Sequence, residues 1–215
     1  MPAELCAVCH AKKAKRHCPG LGKSICPTCC GTEREVSIDC PFECSYLRDS
    51  RRYDQARPAE RPAFAFPDIE IGDSFLHEHE QLIAKLSIEL LVYALSNPRT
   101  TDHDILAALE KLVRTYQTLS SGLYYESVPE DHTQAAIFRD VKKFLDELQQ
   151  QEQQKGAIRP LKESELLRSL VFLHRLGTVR TNRRLRGRAF IDFLRQMFPA
   201  AAPTKDEPRL IVPGA

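Results

Sequence analysis

The strongest apolar periodicity in the chain runs from residue 74 to residue 96. Its aliphatic residues recur every three or four positions, the spacing of one helix face: Leu82, Ile83, Leu86, Leu90 and Ala94. Other aliphatic residues fill the positions between them in its second half, so this helix is apolar on nearly all sides. The pattern predicts a helix that is buried by several neighbours, and we expect the rest of the domain to be built around it.

Two further helices are predicted by the same spacing and by their boundary signals. Helix two follows the capping box Thr101-x-x-Asp104 and ends before Gly122. Helix three begins with Pro129 in its first turn and ends in a glutamine-rich stretch.

The last two helices complete a bundle. They are expected at 163–176, with Gly177 as a stop signal, and at 184–198. No repeat of fixed period is visible. The pattern therefore predicts an irregular all-α bundle of about five helices over residues 74–199 and an irregular tail over residues 200–215.

Shorter elements are expected before the bundle. A Pro-Gly turn between residues 16–18 and 23–25 predicts a hairpin, and residues 45–53 predict a short helix. Residues 54–73 contain three prolines and form a predicted linker. Residues 1–53 contain too few apolar residues to bury a core, so this segment needs another source of folding free energy.

The cysteines indicate that source. All eight lie in the first segment: Cys6, Cys9, Cys18, Cys26, Cys29, Cys30, Cys40 and Cys44. Two C-x2-C pairs and one C-x3-C pair have the spacing at which a turn directs two thiolates to one tetrahedral ion. No apolar run of a signal peptide precedes them, so we expect a cytoplasmic protein with reduced thiols. The pattern predicts two structural Zn²⁺ ions per chain, each contributing on the order of 10 kcal/mol to folding.

The order of the cysteines predicts two interleaved sites. One site would be formed by Cys6, Cys9, Cys26 and Cys29. The other would be formed by Cys18, Cys30, Cys40 and Cys44. His10 and His17 are alternative ligands because each is adjacent to a cysteine. If either histidine binds zinc, one cysteine is left over.

The cysteine segment resembles two known families. Cys6-x2-Cys9, Arg16-His17-Cys18-Pro19 and Ile25-Cys26 resemble the HIT and MYND class of cross-brace zinc fingers over residues 4–50. The sequence departs from that class at Leu21, where a second cysteine is usual. Cys30 would take the place of that cysteine. The stretch from Cys18 to Cys44 also resembles an uncharacterised bacterial zinc-finger family with a helical C-terminal part. The resemblance implies a cross-brace or treble-clef-like module with two zinc ions, and binding to a partner rather than a reaction.

An arginine-rich stretch between residues 175 and 195 is a second candidate site. Its dense positive charge matches the phosphates of a nucleic acid, and the candidate contacts are Arg180, Arg183, Arg184, Arg186 and Arg188. The alternative is internal pairing with acidic residues of helices one and three: Glu78, Glu80 or Asp140. Net charge does not decide between them, because the chain carries only +2. Counting two Zn²⁺ and eight thiolates also removes the net positive charge of residues 1–57.

The chain has none of the sequence patterns of a common enzyme active site. It contains no Gly-rich phosphate loop and no G-x-S-x-G string, and no nucleophile–base pair remains once the cysteines bind zinc. It also has no apolar run of eighteen residues, so no membrane span is expected. We therefore expect a mostly α-helical, non-catalytic adaptor that binds another macromolecule, a protein partner above all. The alternative is a nucleic-acid-binding regulator that uses the arginines.

Overall fold

Most of the chain folds into helices, which confirms the predicted fold class. The computed structural model describes residues 4–56, 62–123, 125–154 and 160–201. The elements in these ranges are β1 (Arg16–Cys18), β2 (Lys23–Ile25), α1 (Pro27–Glu33), α2 (Ser45–Ala56), α3 (Asp73–Glu78), α4 (Glu80–Ser96), α5 (Asp102–Ser120), α6 (His132–Gln154), α7 (Glu163–Arg180), α8 (Ala189–Met197) and a 3₁₀ turn (Pro199–Ala201). No helix among the described residues has the length and apolar character needed to cross a membrane. Most of the predicted C-terminal tail, residues 202–215, lies outside the described ranges.

Helix α5 lies at the centre of the bundle. It packs most extensively against α7 and then against α6, whereas α4 packs beside α6 and α8. Helix α4 is buried, as predicted, on the side of Leu86, Leu90 and Ala94, which are at most 1% exposed. Its opposite side is partly open, since Val92 is 42% exposed. The expectation that the bundle is built around this helix is therefore wrong.

The close packing of α5 and α7 explains Gly177. A Cβ atom at Gly177 would lie 2.7 Å from Leu106 Cδ2 and 3.0 Å from Phe190 Cε1. Gly177 therefore allows a close approach between helices, and α7 continues through it to Arg180. The prediction that Gly177 stops the helix was wrong, because the glycine is needed for packing and not for a left-handed cap.

Helix one of the prediction is broken at His79 into α3 and α4. The His79 ring stacks on Phe75 at a centroid distance of 4.2 Å, and its Nδ1 lies 3.0 Å from the Phe75 carbonyl oxygen. Its Nε2 lies 3.5 Å from Glu165 Oε1 on α7. These side-chain contacts hold His79 in a non-helical conformation. The spacing of apolar residues gives no sign of such a break.

Helices α6 and α8 both begin later than predicted. Helix α6 begins at His132 rather than near Pro129, because Asp131 caps it by accepting hydrogen bonds from the backbone of Thr133 and Gln134. Helix α8 is capped from α5: Asp102 accepts hydrogen bonds from the N–H groups of Phe190 and Ile191. Burial raises the pKa of Asp102 to about 6, although these two hydrogen bonds oppose the shift.

The predicted linker is shorter than expected and its second half is packed on the bundle. Helix α2 extends to Ala56, and residues 57–61 lie outside the described ranges. Phe66, Ile69 and Ile71 then contact the bundle core. Arg175 of α7 fixes this segment by donating hydrogen bonds of 2.8 Å to the carbonyls of Phe66 and Ile69.

Core burial of α4 predicts the effect of truncating its side chains. Leu90→Ala should lower the free energy of unfolding by about 2–5 kcal/mol, because it removes a buried side chain from a close-packed core. Val92→Ala on the same helix is the control and should change it by less than about 0.5 kcal/mol. Urea denaturation followed by circular dichroism measures both. Equal effects of the two substitutions would contradict the observed orientation of α4.

Candidate metal centre and its junction with the bundle

The first C-x2-C pair lies in a tight turn at the start of the module. The N–H of Cys6 donates to the carbonyl of Lys12 and that of His10 to the carbonyl of Cys6, both at 2.8 Å. His10 has a φ of +52°, the left-handed conformation that closes such a turn. The chain then returns antiparallel to its start, where Leu5 pairs with Lys13.

The second C-x2-C pair begins helix α1. Cys26 is the N-cap residue with Pro27 at the first helical position, and Cys26 Sγ accepts a hydrogen bond of 3.4 Å from the Cys29 N–H. The hairpin of β1 and β2, which has the predicted bounds, joins this helix to the first turn. The N–H of Ala7 donates to the carbonyl of Ser24, which fixes the first turn beside the second pair.

The four thiols of these two pairs converge. The Sγ atoms of Cys6, Cys9, Cys26 and Cys29 all lie within 4.8 Å of one another. A tetrahedral site with Zn–S bonds of about 2.3 Å has sulfur–sulfur edges of about 3.8 Å. The cluster therefore has the composition and size of a site for one metal ion. Neither His10 nor His17 belongs to it, and both are exposed.

The protonation equilibria of these thiols also favour a cation. Burial opposes ionisation of Cys6, but hydrogen bonds from the backbone of Cys9, Cys26 and Val8 outweigh it and lower the pKa of Cys6 to about 6. In contrast, hydrogen bonding to Cys26, together with burial, raises the pKa of Cys29 to about 12. The neighbouring sulfur atoms therefore oppose ionisation of the Cys29 thiol. A bound cation would relieve that repulsion.

The remaining four cysteines do not form a comparable cluster among the described residues. Cys18, Cys30 and Cys44 are buried, and Cys40 is partly buried. Cys30 Sγ instead accepts a hydrogen bond of 3.6 Å from Arg34 Nη2. Burial of Cys40 raises its pKa to about 11, and the nearby thiols of Cys44 and Cys18 add to the shift. These groups are therefore neighbours, and a second metal site among them remains a prediction.

The arginine-rich stretch forms the junction between this module and the bundle. Residues 181–188, which we call the arginine loop, connect α7 to α8. Arg184 Nη1 donates hydrogen bonds to the carbonyls of Gly31 at 3.1 Å and Arg34 at 2.5 Å. Arg186 forms an ion pair of 2.7 Å with Asp39. These partners belong to the cysteine module and not to the acidic residues predicted for them, Glu78, Glu80 and Asp140.

The other candidate arginines differ in their surroundings. The Arg188 guanidinium lies 4.4 Å from the centre of the Phe42 ring, and its Nη2 donates to the carbonyl of Ala94. Arg180 is exposed and lies over Phe193 at 4.3 Å, and Arg183 is exposed. Backbone bonds to the module keep the loop irregular, so the helix predicted from residue 184 begins only at Ala189.

Glu35 is the centre of the junction and was missed by sequence reasoning. It is 1% exposed and has a φ of +51°. Its carboxylate accepts hydrogen bonds from Arg51 Nη2 at 2.6 Å, Asn182 Nδ2 at 2.7 Å and the Arg188 N–H at 3.0 Å. Its own carbonyl accepts from the Arg186 N–H. A single glutamate in a polar stretch gives no periodic signal, so nothing in the sequence marks it.

Arg51 and Phe42 complete this junction. Arg51 of α2 is 8% exposed and binds Asp192 of α8 at 2.5 Å with the nitrogen that does not bind Glu35. Phe42 is part of the bundle core although it lies between Cys40 and Cys44. Three guanidinium groups surround its ring within 6 Å, those of Arg51, Arg188 and Arg195. The module is therefore attached by a buried charge network and by an aromatic side chain.

The burial of Glu35 predicts the effect of removing it. Glu35→Ala should lower the free energy of unfolding by about 3–5 kcal/mol, because Arg51 then keeps a buried charge with one partner lost. Asp39→Ala is the matched control, since its exposed pair with Arg186 should contribute less than about 1 kcal/mol. Chemical denaturation of both variants measures the difference. A small effect for Glu35→Ala would mean that the junction contributes little to stability.

The comparisons with known proteins give no relative for this arrangement. No protein-family model, curated protein or solved structure matches the chain. The functional interpretation therefore rests on the chemistry of the site alone.

Proposed function

We propose that this protein is a cytoplasmic, non-catalytic adaptor whose N-terminal module is folded by zinc and attached rigidly to a helical bundle. One observation carries the proposal: the four converging thiols of Cys6, Cys9, Cys26 and Cys29. The module that holds them is joined to α8 through Glu35 and Arg51. Such a combination presents two surfaces in a fixed relative orientation.

Zinc is the metal that this donor set favours. Four thiolates in a tetrahedral arrangement select Zn²⁺ or an iron–sulfur centre. All four coordination positions would be filled by protein, which is the pattern of a structural rather than a catalytic zinc site. The order of turn, hairpin and helix is that of a treble-clef-like module, as the resemblance to HIT and MYND fingers implies.

The second zinc belongs to the same proposal. Cys18, Cys30, Cys40 and Cys44 would hold it. Two observations support this assignment: three of these cysteines are buried, and Cys40 lies near both Cys44 and Cys18. Arg34, which contacts the Cys30 sulfur, would then neutralise part of the thiolate charge. The first site does not depend on this second one.

The non-catalytic part of the proposal is supported by what the polar residues bind. The buried acids of the junction, Glu35 and Asp192, are both paired with Arg51. Asp102 accepts two backbone hydrogen bonds as a helix cap. These groups stabilise the fold through fixed partners, whereas a general acid or base must exchange its proton with a substrate.

Metal analysis tests the proposal directly. Purified protein should contain close to two equivalents of zinc. Cys6→Ser and Cys26→Ser should each lose one equivalent, because each removes a ligand of the four-thiol cluster. Cys18→Ser should lose the other equivalent. A wild-type content of one would disprove the second site, and iron absorbance in place of zinc would disprove the choice of metal.

Removal of the metal should expose the arginine loop. The carbonyls that hold Arg184, and the Glu35 carboxylate, lie between the cysteine pairs. A chelator should therefore unfold residues 4–50 and leave most of the helical circular dichroism of the bundle. Trypsin should then cleave after Arg184 or Arg188, whose side chains are held by backbone carbonyls in the folded protein. Unchanged cleavage after complete metal removal would show that the module stays attached without metal.

Partner capture tests the adaptor role. Metal-loaded protein on a resin should retain a partner from native extract, and Cys6→Ser protein should not, because its module is unfolded. A partner that is retained equally by both proteins would bind the bundle alone. Turnover of any compound by the metal-loaded protein, but not by the Cys6→Ser variant, would disprove the non-catalytic role.

A further inference from the structure

The charges of the cysteine module are divided between its two halves. Residues 5–32 contain five basic side chains and no Asp or Glu: Lys12, Lys13, Lys15, Arg16 and Lys23. All six acidic side chains of residues 5–54 follow this segment, between Glu33 and Asp54. Two of these acids, Glu35 and Asp39, pair with Arg51 and Arg186 at the junction. Glu4 borders this segment and its carbonyl accepts a hydrogen bond from the Ala14 N–H, so residues 4–32 carry a net charge of +4.

Backbone geometry places two of these lysines, Lys13 and Lys15, on one face. From Lys13 to Cys18 the side chains alternate between exposed and partly or fully buried, as they do along a strand with one solvent face. Lys13, Lys15 and His17 are the exposed positions. Across the ladder, Leu5 pairs with Lys13 and Ser24 pairs with His17. Lys23 pairs with Cys18, and Lys12 alternates with Lys13, so these two lysines belong to the other side of the ladder. We call the surface formed by Lys13, Lys15 and His17 the lysine face.

The lysines of this face lack acidic partners. Among the described residues, Lys13, Lys15 and Lys23 form no ion pair, and Lys12 Nζ donates to Thr28 Oγ1 at 3.2 Å. This differs from the arginine loop, where Arg184, Arg186 and Arg188 contact the module or the bundle. Among the described residues, the lysines of the hairpin are therefore positive charges without an ion pair, whereas Arg184, Arg186 and Arg188 of the arginine loop have partners at the junction.

The metal site does not cancel this charge at the surface. Four thiolates and one Zn²⁺ carry a formal charge of −2, which is smaller than the +4 of residues 4–32. Cys6 and Cys26 are at most 1% exposed, whereas Cys9 is exposed. The lysine ammonium groups project into solvent instead. A phosphate that approaches from solvent meets them first, within the screening length of about 8–10 Å.

We propose that the lysine face binds the phosphate backbone of nucleic acid without sequence preference. Side chains two residues apart on an extended strand are about 6.7 Å apart, a separation on the scale of that between neighbouring phosphates of one nucleic-acid strand. A protein partner fits less well, because lysine is depleted at protein interfaces and their binding energy centres on buried aromatic or arginine anchors. Leu5 is the one large apolar side chain named on this face, and no Phe, Tyr or Trp is present to stack bases.

This inference rests on the proposed function in one respect, since the face requires the metal-folded hairpin. Fluorescence anisotropy with a labelled 20-base single strand and a 20-base-pair duplex of arbitrary sequence tests it, over 20–200 mM salt. Two lysine contacts predict a slope of log K against log salt of about −1.5 to −2. Lys13→Gln/Lys15→Gln should weaken binding about tenfold at 50 mM salt and reduce the slope by between one and two. A second, unrelated sequence should bind within about twofold.

Two further variants separate charge from folding and position. Lys13→Arg/Lys15→Arg keeps the charge and should bind as the wild type does. Lys85→Gln/Lys143→Gln removes the same charge from exposed positions of the bundle and should leave binding unchanged. Zinc content and circular dichroism of every variant should equal those of the wild type.

Four results would overturn the inference. The first is undetectable nucleic-acid binding at 20 mM salt, and the second is an equal loss of binding in the Lys85→Gln/Lys143→Gln control. The third is a loss of binding in Arg180→Gln/Arg183→Gln while the lysine variant binds normally. The fourth is displacement of the nucleic acid by polyglutamate at an equal concentration of charge. The last result would identify an acidic protein as the partner. Normal zinc content without nucleic-acid binding leaves the adaptor proposal intact, whereas absent zinc contradicts the proposed function first.

Discussion

The buried carboxylate of Glu35 is the interaction on which the arrangement of the molecule depends. An ionised carboxylate removed from water destabilises a fold unless charged and polar partners compensate it. Here the compensation comes from three different parts of the chain: Arg51 on α2, and Asn182 and the Arg188 N–H in the arginine loop. The carboxylate can be satisfied only when all three parts are assembled. One side chain therefore makes the position of the module conditional on the folding of the bundle.

One short stretch carries the cysteines proposed for the second metal site and the groups of the junction. Between Cys30 and Cys44, the chain supplies the Gly31 and Arg34 carbonyls, Glu35 and Phe42 to the contact with the bundle. A turn fixed by thiolate coordination would place these groups at defined distances. Metal binding and docking are then two consequences of one local geometry, which a module connected by a flexible linker would not provide.

Positive charge occurs in two different settings in this protein. The guanidinium groups of the arginine loop and of α2 make directed contacts with carbonyls, carboxylates and the Phe42 ring, which suits their planar and weakly hydrated shape. Lys13 and Lys15 are exposed in the segment that precedes β1 and form no ion pairs among the described residues, which suits a strongly hydrated point charge. A dense arginine stretch is therefore an unreliable indicator of a phosphate site when a polar module packs against it.

The sequence alone determined the features that depend on local spacing. The helical periods predicted a mostly α-helical chain and the buried positions of α4, and the two C-x2-C pairs predicted which four thiols meet. Tertiary structure decided everything set by contacts between distant residues. It moved the start of α8 because Asp102 caps it, carried α7 through Gly177 because α5 packs there, and assigned the arginines to Glu35, Asp39 and Phe42. The physical reason is that a local pattern records which residues favour burial or a turn, but a polar side chain's partner is defined only once the fold has brought the two together.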